Sequence, residues 1–420
     1  MSNFTADTYQ NEFLPTGGTE VNAVVTVTSS GGGSTRPGAE IVILDTSLSM
    51  GVPSAKLSAA ILATATAIDC IRDGVMFAVI SGSTDARIVY PRDGGMAVGS
   101  DATRSAARLA VSRLGVDGGT AMGTWLRRAG ELFASAPPGA RHAILLTDGR
   151  NQHETSEQLD EALASVEGCF QCDCRGVGTD WEVGELRRIA QTLLGTVDIV
   201  ADPRGLADDF RRLTERAMGR ATGNVSLRLW TPRGATVTLV RQVAPTIEEL
   251  THRGRPVDEL SVDYPTGSWG DESRDYHLAI RVSARGLGDE MLAGRVTLIE
   301  DGELRGQALV KAIWTEDEQR STQINREVAH YTGQAELAEA IQDGLEARKA
   351  GDCETATIKL GRAVALATAS GNASTMKLLA GVVEIDDPVT GTVRLRAGVA
   401  EADEMALDTR STKTVRLGSG

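Results

Sequence analysis

Aromatic residues are scarce in this chain: Phe, Trp and Tyr together make up 4% of 420 residues. Its cores therefore rest on Ala, Val, Leu and Ile, within an apolar fraction of 41% that is ordinary for soluble globular protein. Cysteine is scarce as well. Cys70, Cys169, Cys172, Cys174 and Cys353 are odd in number and mostly clustered, which excludes the disulfide framework of a small secreted protein. Positive charge is in the minority, with 43 Lys and Arg against 57 Asp and Glu, a net charge of -14 and a pI near 5.0. No basic run offsets that surplus, so phosphate backbones are repelled and nucleic acid is excluded as a partner. No apolar run approaches the ~20 residues of a membrane span, so no membrane association is expected. Residues 1–13 have neither a basic n-region nor an apolar h-region, and the expected location is the cytoplasm.

What is present divides the chain into stretches of different pattern. Residues 1–30 end in an alternating run at 21–28 that reads as a strand, followed by a Gly/Ser-rich linker at 29–34. A lone strand buries nothing, so it must join a sheet elsewhere. Over 39–220, short apolar runs (40–44, 75–80, 142–146, 170–176, 197–200) alternate with amphipathic helical stretches (55–70, 101–113, 120–134, 155–167, 182–193, 204–217). That alternation predicts an α/β domain, a doubly wound, mostly parallel sheet covered on both faces. Residues 222–315 instead alternate with period two between turn-rich segments such as 265–270, predicting a β-sandwich. The N-terminal strand is its expected extra member, so the α/β domain is inserted in the sandwich. Residues 316–405 turn helical, with Ala335, Ala338, Ile341 and Leu345 on one face and Ala356, Leu360, Ala363 and Ala367 on the next, which reads as a helical hairpin. Residues 406–420 read as a polar, flexible tail, in which Thr409, Thr412 and Thr414 are candidate phosphate acceptors.

Three separated elements of the α/β domain converge on one chemistry. Asp45, Ser47 and Ser49 form a D-x-S-x-S loop directly after the first apolar strand. Thr120 follows a Gly pair and opens a helix. Asp148 follows the strand 142–146. In a parallel sheet all three lie at the carboxyl edge, where such folds bind ligands. Three hydroxyls and two carboxylates are hard oxygen donors in the number that suits Mg²⁺, or Mn²⁺ or Ca²⁺, and no His or Cys is present to select zinc. With hydroxyls and waters around it, the ion stays electrophilic and can take an outside anion, most naturally an Asp or Glu of another protein. The carboxylates can act by holding waters or ligating hydroxyls in place.

These residues resemble the metal-ion-dependent adhesion site (MIDAS) of the von Willebrand factor A (VWA) family, whose D-x-S-x-S, downstream Thr and further Asp all occur here in order, over roughly residues 39–220. Residues 176–180 and 186–190 are similar to the family's fifth strand and the helix after it. The resemblance implies a Rossmann-like domain with Ser47, Ser49 and Thr120 as metal ligands, and Asp45 and Asp148 bound directly or through water. The flanking sandwich and helices resemble an arrangement in bacterial VWA proteins, which act beside an AAA+ ATPase or beside kinases and phosphatases. The function so implied is a scaffold or adaptor that binds a partner's acidic side chain through the metal.

Other features point elsewhere with less force. Cys169, Cys172 and Cys174 lack a second pair at zinc-site spacing and read as buried thiols. The five histidines are scattered, and His153 and Glu154 read as a solvated rim of the site. No phosphate-binding G-x-x-x-x-G-K-[ST] loop or nucleophile elbow exists. A metal-dependent phosphoesterase using Asp45 and Asp148 would need a second metal, or a base and a leaving-group acid, where the sequence offers hydroxyls. A cell-surface adhesin is the other alternative, against which stand the missing signal and disulfides. The expectation is a binding module, not an enzyme.

Overall fold

The computed structural model describes residues 3–31, 38–220 and 222–416. The chain divides into two compact units, one formed by Gly31–Asn224 with Gly267–Asp271, the other by Asn3–Ser30, Val225–Thr266 and the chain from Glu272 onward. Three strands open it, β1 (Asn3–Gln10), β2 (Phe13–Leu14) and β3 (Glu20–Ser30), and they belong to the second unit.

The first unit contains β4 (Ala39–Asp45), α1 (Ala55–Cys70), β5 (Met76–Gly82), β6 (Ala86–Tyr90), β7 (Ala97–Val98), α2 (Asp101–Val111), α3 (Met122–Ser135), β8 (Arg141–Thr147), α4 (Ser156–Val166), β9 (Gln171–Val177), α5 (Val183–Thr192), β10 (Val197–Val200) and α6 (Leu206–Met218). Its sheet runs β10-β9-β8-β4-β5-β6, parallel throughout except for the antiparallel edge strand β6, with β7 also antiparallel to β5. All seven residues of β4 are buried, as a central strand covered on both faces requires. Val42, Leu44, Ile144 and Leu146 meet Ala60, Ala63 and Ala67 of α1 and Leu206, Phe210 and Leu213 of α6. The alanines of α1 let that helix approach closely, which compensates for the shortage of rings. Trp125 of α3 is fully buried, and its indole lies so close to Gly82 that a Cβ there would meet it at 2.3 Å. This is the expected doubly wound α/β domain.

The second unit continues with β11 (Thr222–Trp230), β12 (Thr236–Ala244), β13 (Glu248–Glu249), β14 (Arg255–Pro256), β15 (Ser261–Trp269), β16 (Glu272–Arg281), β17 (Glu290–Glu300) and β18 (Glu303–Trp314). One sheet is ordered β1-β3-β16-β12-β13 and the other β14-β15-β11-β17-β18-β2. The alternating run at 21–28 is the middle of β3, hydrogen-bonded to β16 on one side and β1 on the other. Two differences from the sequence reading stand out. Residues 3–10 form a full strand although they read as polar, because an edge strand needs few apolar side chains. Residues 265–269, read as turn, lie within β15, since the backbone N–H and hydroxyl of Ser268 find an acceptor in Gln171 Oε1.

The helical region is more than a hairpin. It comprises α7 (Glu318–Ser321), α8 (Arg326–Lys349), α9 (Cys353–Ala369), α10 (Ala373–Val382), a two-stranded antiparallel sheet of β19 (Val383–Asp387) and β20 (Thr392–Leu395), and α11 (Glu401–Arg410). Its core gathers Leu337, Ile341 and Leu345 with Leu360, Val364, Leu379, Val393 and Leu407. The expected flexible tail from 406 is corrected over its described part. Residues 406–410 complete α11, with Leu407 and Thr409 buried, and residues 412–416 run along the sandwich. Thr414 Oγ1 donates to Val243 O at 2.6 Å and Arg416 pairs with Asp275 at 3.1 Å. Residues 417–420 lie outside the described residues. Among the described residues no helix is long and apolar enough to cross a membrane.

Candidate metal centre

The strand order reverses at β4: the chain leaves it for β5 on one side and returns to β8 on the other. At such a reversal the connections part and leave a crevice at the carboxyl ends of the strands. Asp45 is the last residue of β4 and Thr147 the last of β8, so both point their following loops into that crevice.

The structure brings together all five residues singled out from the sequence. Asp45 is fully buried, and its Oδ1 accepts the backbone N–H of Ser47 at 2.7 Å while its Oδ2 accepts the hydroxyl of Thr147 at 2.5 Å. The hydroxyls of Ser47 and Ser49 are 2.9 Å apart, and Ser49 Oγ donates to Asp148 Oδ1 at 2.7 Å. A Cβ built on Gly149 would sit 3.3 Å from Thr120 Oγ1 and 3.4 Å from Ser49 Oγ, so those two hydroxyls converge from different loops. Backbone bonds lock the loops to each other: Leu48 N–H to Gly118 O at 3.1 Å, and Asp117 N–H to Thr46 O at 2.7 Å. Gly118 has φ +66°, a left-handed conformation that glycine takes without strain. Asp45, Asp148, Ser47 and Thr120 are buried while Ser49 is exposed, so the cluster opens outward at Ser49.

The sequence reading missed several participants. Lys56, on the first turn of α1, donates to Asp148 Oδ2 at 2.8 Å and to Asp180 Oδ2 at 3.1 Å. The available signal was position: Lys56 falls on the stripe Ala60, Ala63, Thr64 and Ala67, and a lysine on an apolar stripe implies a buried ion pair. Glu154, read as a solvated rim, caps a helix, and Asn151 joins it. Asn151 Oδ1 accepts from Met122 N at 2.8 Å, and the Glu154 carboxylate accepts from Gly123 N at 2.7 Å and Thr124 N at 2.9 Å. His153 is exposed, as expected of a rim, yet its Nδ1 accepts the backbone N–H of Thr120 at 3.2 Å. Cys172 and Cys174 are buried thiols, whereas Cys169 is exposed.

Electrostatics follow from burial. Desolvation pushes Asp45 up to about 6, against the opposing hydrogen bonds of Ser47 and Thr147. Desolvation pulls Lys56 down, but hydrogen bonds and charge from Asp148 and Asp180 outweigh it and its pKa is raised. A buried carboxylate held up in this way gains from a cation at its side. Among the described residues no group of three or more His, Cys, Asp or Glu is placed to hold a metal. Three neutral hydroxyl oxygens before two carboxylates fit a small hard divalent cation.

Comparison with known proteins agrees with this geometry. The model of the von Willebrand factor type A domain matches residues 39–199, and that of the von Willebrand factor type A C-terminal domain matches residues 365–411. A solved von Willebrand factor type A protein from Catenulispora acidiphila is 49% identical, with a TM-score of 0.95 over 99% of this chain and 97% of that one. The chain belongs to the von Willebrand factor type A family. The VWA C-terminal match runs from the end of α9 through Ser411, so what reads in sequence as helices plus a tail is one recurring unit. The ArnB paralog VWA2 from Sulfolobus acidocaldarius shares the VWA fold at 14% identity, with a TM-score of 0.58 over 98% of each chain. No curated protein matches the chain. VWA domains commonly mediate metal-dependent protein interactions, and they often bind a divalent metal at a MIDAS.

Proposed function

We propose that this VWA protein is a scaffold or adaptor that grips an acidic side chain of a partner protein through Mg²⁺, with Mn²⁺ or Ca²⁺ as substitutes. The observation that carries the reading is the hydroxyl chain Ser47–Ser49 ending on Asp148, at the crevice where the strand order reverses, with Ser49 facing out. Ser47, Ser49 and Thr120 would hold the ion. Asp45 orients the Ser47 backbone, and Asp148 orients the Ser49 hydroxyl. The bound ion supplies electrophilic attraction for a carboxylate.

A binding role suits the carboxylates better than hydrolysis. Both oxygens of Asp45 are engaged by Ser47 and Thr147, and both of Asp148 by Ser49 and Lys56, so neither is disposed to act as a general base. The partner is a protein, such as an AAA+ ATPase or a kinase or phosphatase of a bacterial cytoplasmic system, neither nucleic acid nor membrane.

Pull-downs from native lysate, run in Mg²⁺ and in EDTA, test this reading. Capture should require Mg²⁺ and disappear in Asp45→Ala and Thr120→Ala while circular dichroism stays unchanged. Capture that persists in EDTA, or phosphoester turnover that is lost in Asp148→Ala, would count against it.

A further inference from the structure

Lys56 is the one member of the cluster whose charge has the same sign as the expected ion. Its side chain is 10% exposed, that of Asp148 fully buried and that of Asp180 73% exposed. The ammonium therefore sits between an interior carboxylate and a surface one. Burying a lysine is costly unless it is paired and hydrogen-bonded, and here both conditions are met on Asp148 Oδ2. The consequence for the site is electrostatic. Asp148 Oδ1 is bound by Ser49 and its Oδ2 by Lys56, so this carboxylate is neutralised before any divalent cation arrives.

We propose that Lys56 is the internal counter-ion of the metal centre, setting how loosely the cation is held and how strongly the held cation attracts a carboxylate; this rests on the metal-binding reading above. By cancelling Asp148, Lys56 weakens the pull of the site on Mg²⁺. By the same cancellation it leaves the bound Mg²⁺ short of negative charge, a deficit that an incoming carboxylate makes good. Affinity for the ion and affinity for the anion are thus traded against each other through one side chain. Asp180 tempers the trade from the solvent side, because it shares the ammonium with Asp148. A purely structural lysine would not move the two affinities in opposite directions.

The test is calorimetric titration of the full chain with Mg²⁺ alone, then with acetate as the carboxylate probe at saturating Mg²⁺, for the parent, Lys56→Gln and Asp180→Asn. Gln keeps a donor for Asp148 and removes the charge. Lys56→Gln should bind Mg²⁺ about tenfold more tightly, the effect of removing one like charge near a divalent ion, and should bind acetate more weakly. Asp180→Asn, at an exposed position that does not threaten folding, should shift Mg²⁺ affinity the other way by roughly two- to threefold, as screening at the surface dictates. Unchanged or weaker Mg²⁺ binding by folded Lys56→Gln overturns the proposal. If Lys56→Gln does not fold, Asp180→Asn decides, and Mg²⁺ affinity equal to the parent's overturns it. A parent chain that binds no Mg²⁺ instead removes the metal-site reading itself.

Discussion

His142 is held between two carboxylates inside the sheet. Its Nδ1 lies 2.8 Å from Glu40 Oε1 on β4 and its Nε2 2.9 Å from Asp173 Oδ2 on β9, with all three side chains buried. Burial alone would lower the imidazole's pKa, but the charge of Glu40 and the hydrogen bonds of both carboxylates raise it. Glu40 is itself raised, chiefly by burial, while Asp173 is held well below the usual carboxylate range, its burial outweighed by His142. For a raised histidine, the stability contributed is complete below the ordinary 6.5 and is lost as pH rises through the folded-state value. Glu40 acts in the same direction, its contribution falling as pH rises from the ordinary 4.5 through its raised folded-state value. Urea denaturation should therefore show stability declining on the alkaline side. His142→Leu should cost about 3–5 kcal/mol near neutral pH, because two buried carboxylates lose their partner, and should flatten that alkaline decline. None of this was legible in a scattered histidine. The five site residues were legible, because D-x-S-x-S and its distant Thr and Asp carry their chemistry in residue type and position after a strand. Lys56, Asn151 and Glu154 act on atoms brought to them by other elements, and no local pattern announces that.

At the scale of elements, α3 explains how Thr120 is positioned. Its N-cap is Ala121, whose side chain has no oxygen to offer the orphan N–H groups of the first turn. The loop after Asp148 supplies the caps instead, Asn151 to Met122 N and Glu154 to Gly123 N and Thr124 N. The loops after β8 and before α3 are therefore one mechanical piece. Glu154→Ala should destabilise the unit by about 1–2 kcal/mol, as a lost cap does, and should weaken Mg²⁺ binding with it. Urea denaturation and metal titration of the same variant check both halves, and Glu154→Gln should recover part of each. Gly119→Ala should also weaken Mg²⁺ binding, since a Cβ there would meet His153 Cε1 at 1.8 Å and displace the ring that accepts from Thr120 N. Mg²⁺ titration reads that loss directly.

At the scale of the molecule, the end of the chain is part of the second unit. Ile247 N–H donates to Thr412 O at 2.8 Å and Thr414 N–H to Pro245 O at 3.1 Å, an isolated antiparallel bridge between Lys413 and Thr246 just after β12. Arg416 then reaches Asp275, which also accepts Tyr331 OH from α8 at 2.5 Å and Thr26 Oγ1 from β3 at 2.7 Å. One buried carboxylate thereby ties the first strands, the helical region and the last residues of the unit. Deleting the chain from Ser411 onward should lower thermal stability by several degrees, at about 1 kcal/mol for each hydrogen bond lost. Arg416→Ala should give a smaller part of that shift in the same scan. A kinase should leave Thr409 and Thr414 unmodified in the folded chain, the first buried in α11 and the second bonded to Val243 O, and mass spectrometry of kinase-treated protein checks this.

The amino-acid pattern by itself determined the doubly wound domain, the sandwich into which it is inserted, and the residue types gathered at the candidate site. Each of these is written in periodicity or in short motifs, where neighbours in the chain are also neighbours in space. Tertiary structure alone decided that polar residues 3–10 are a strand, that the supposed tail is a helix followed by an isolated β-bridge, and that Lys56 pairs with Asp148. Those outcomes depend on which backbone groups and charges a distant part of the chain presents, and hydrogen bonds and ion pairs between remote segments leave no trace in local composition.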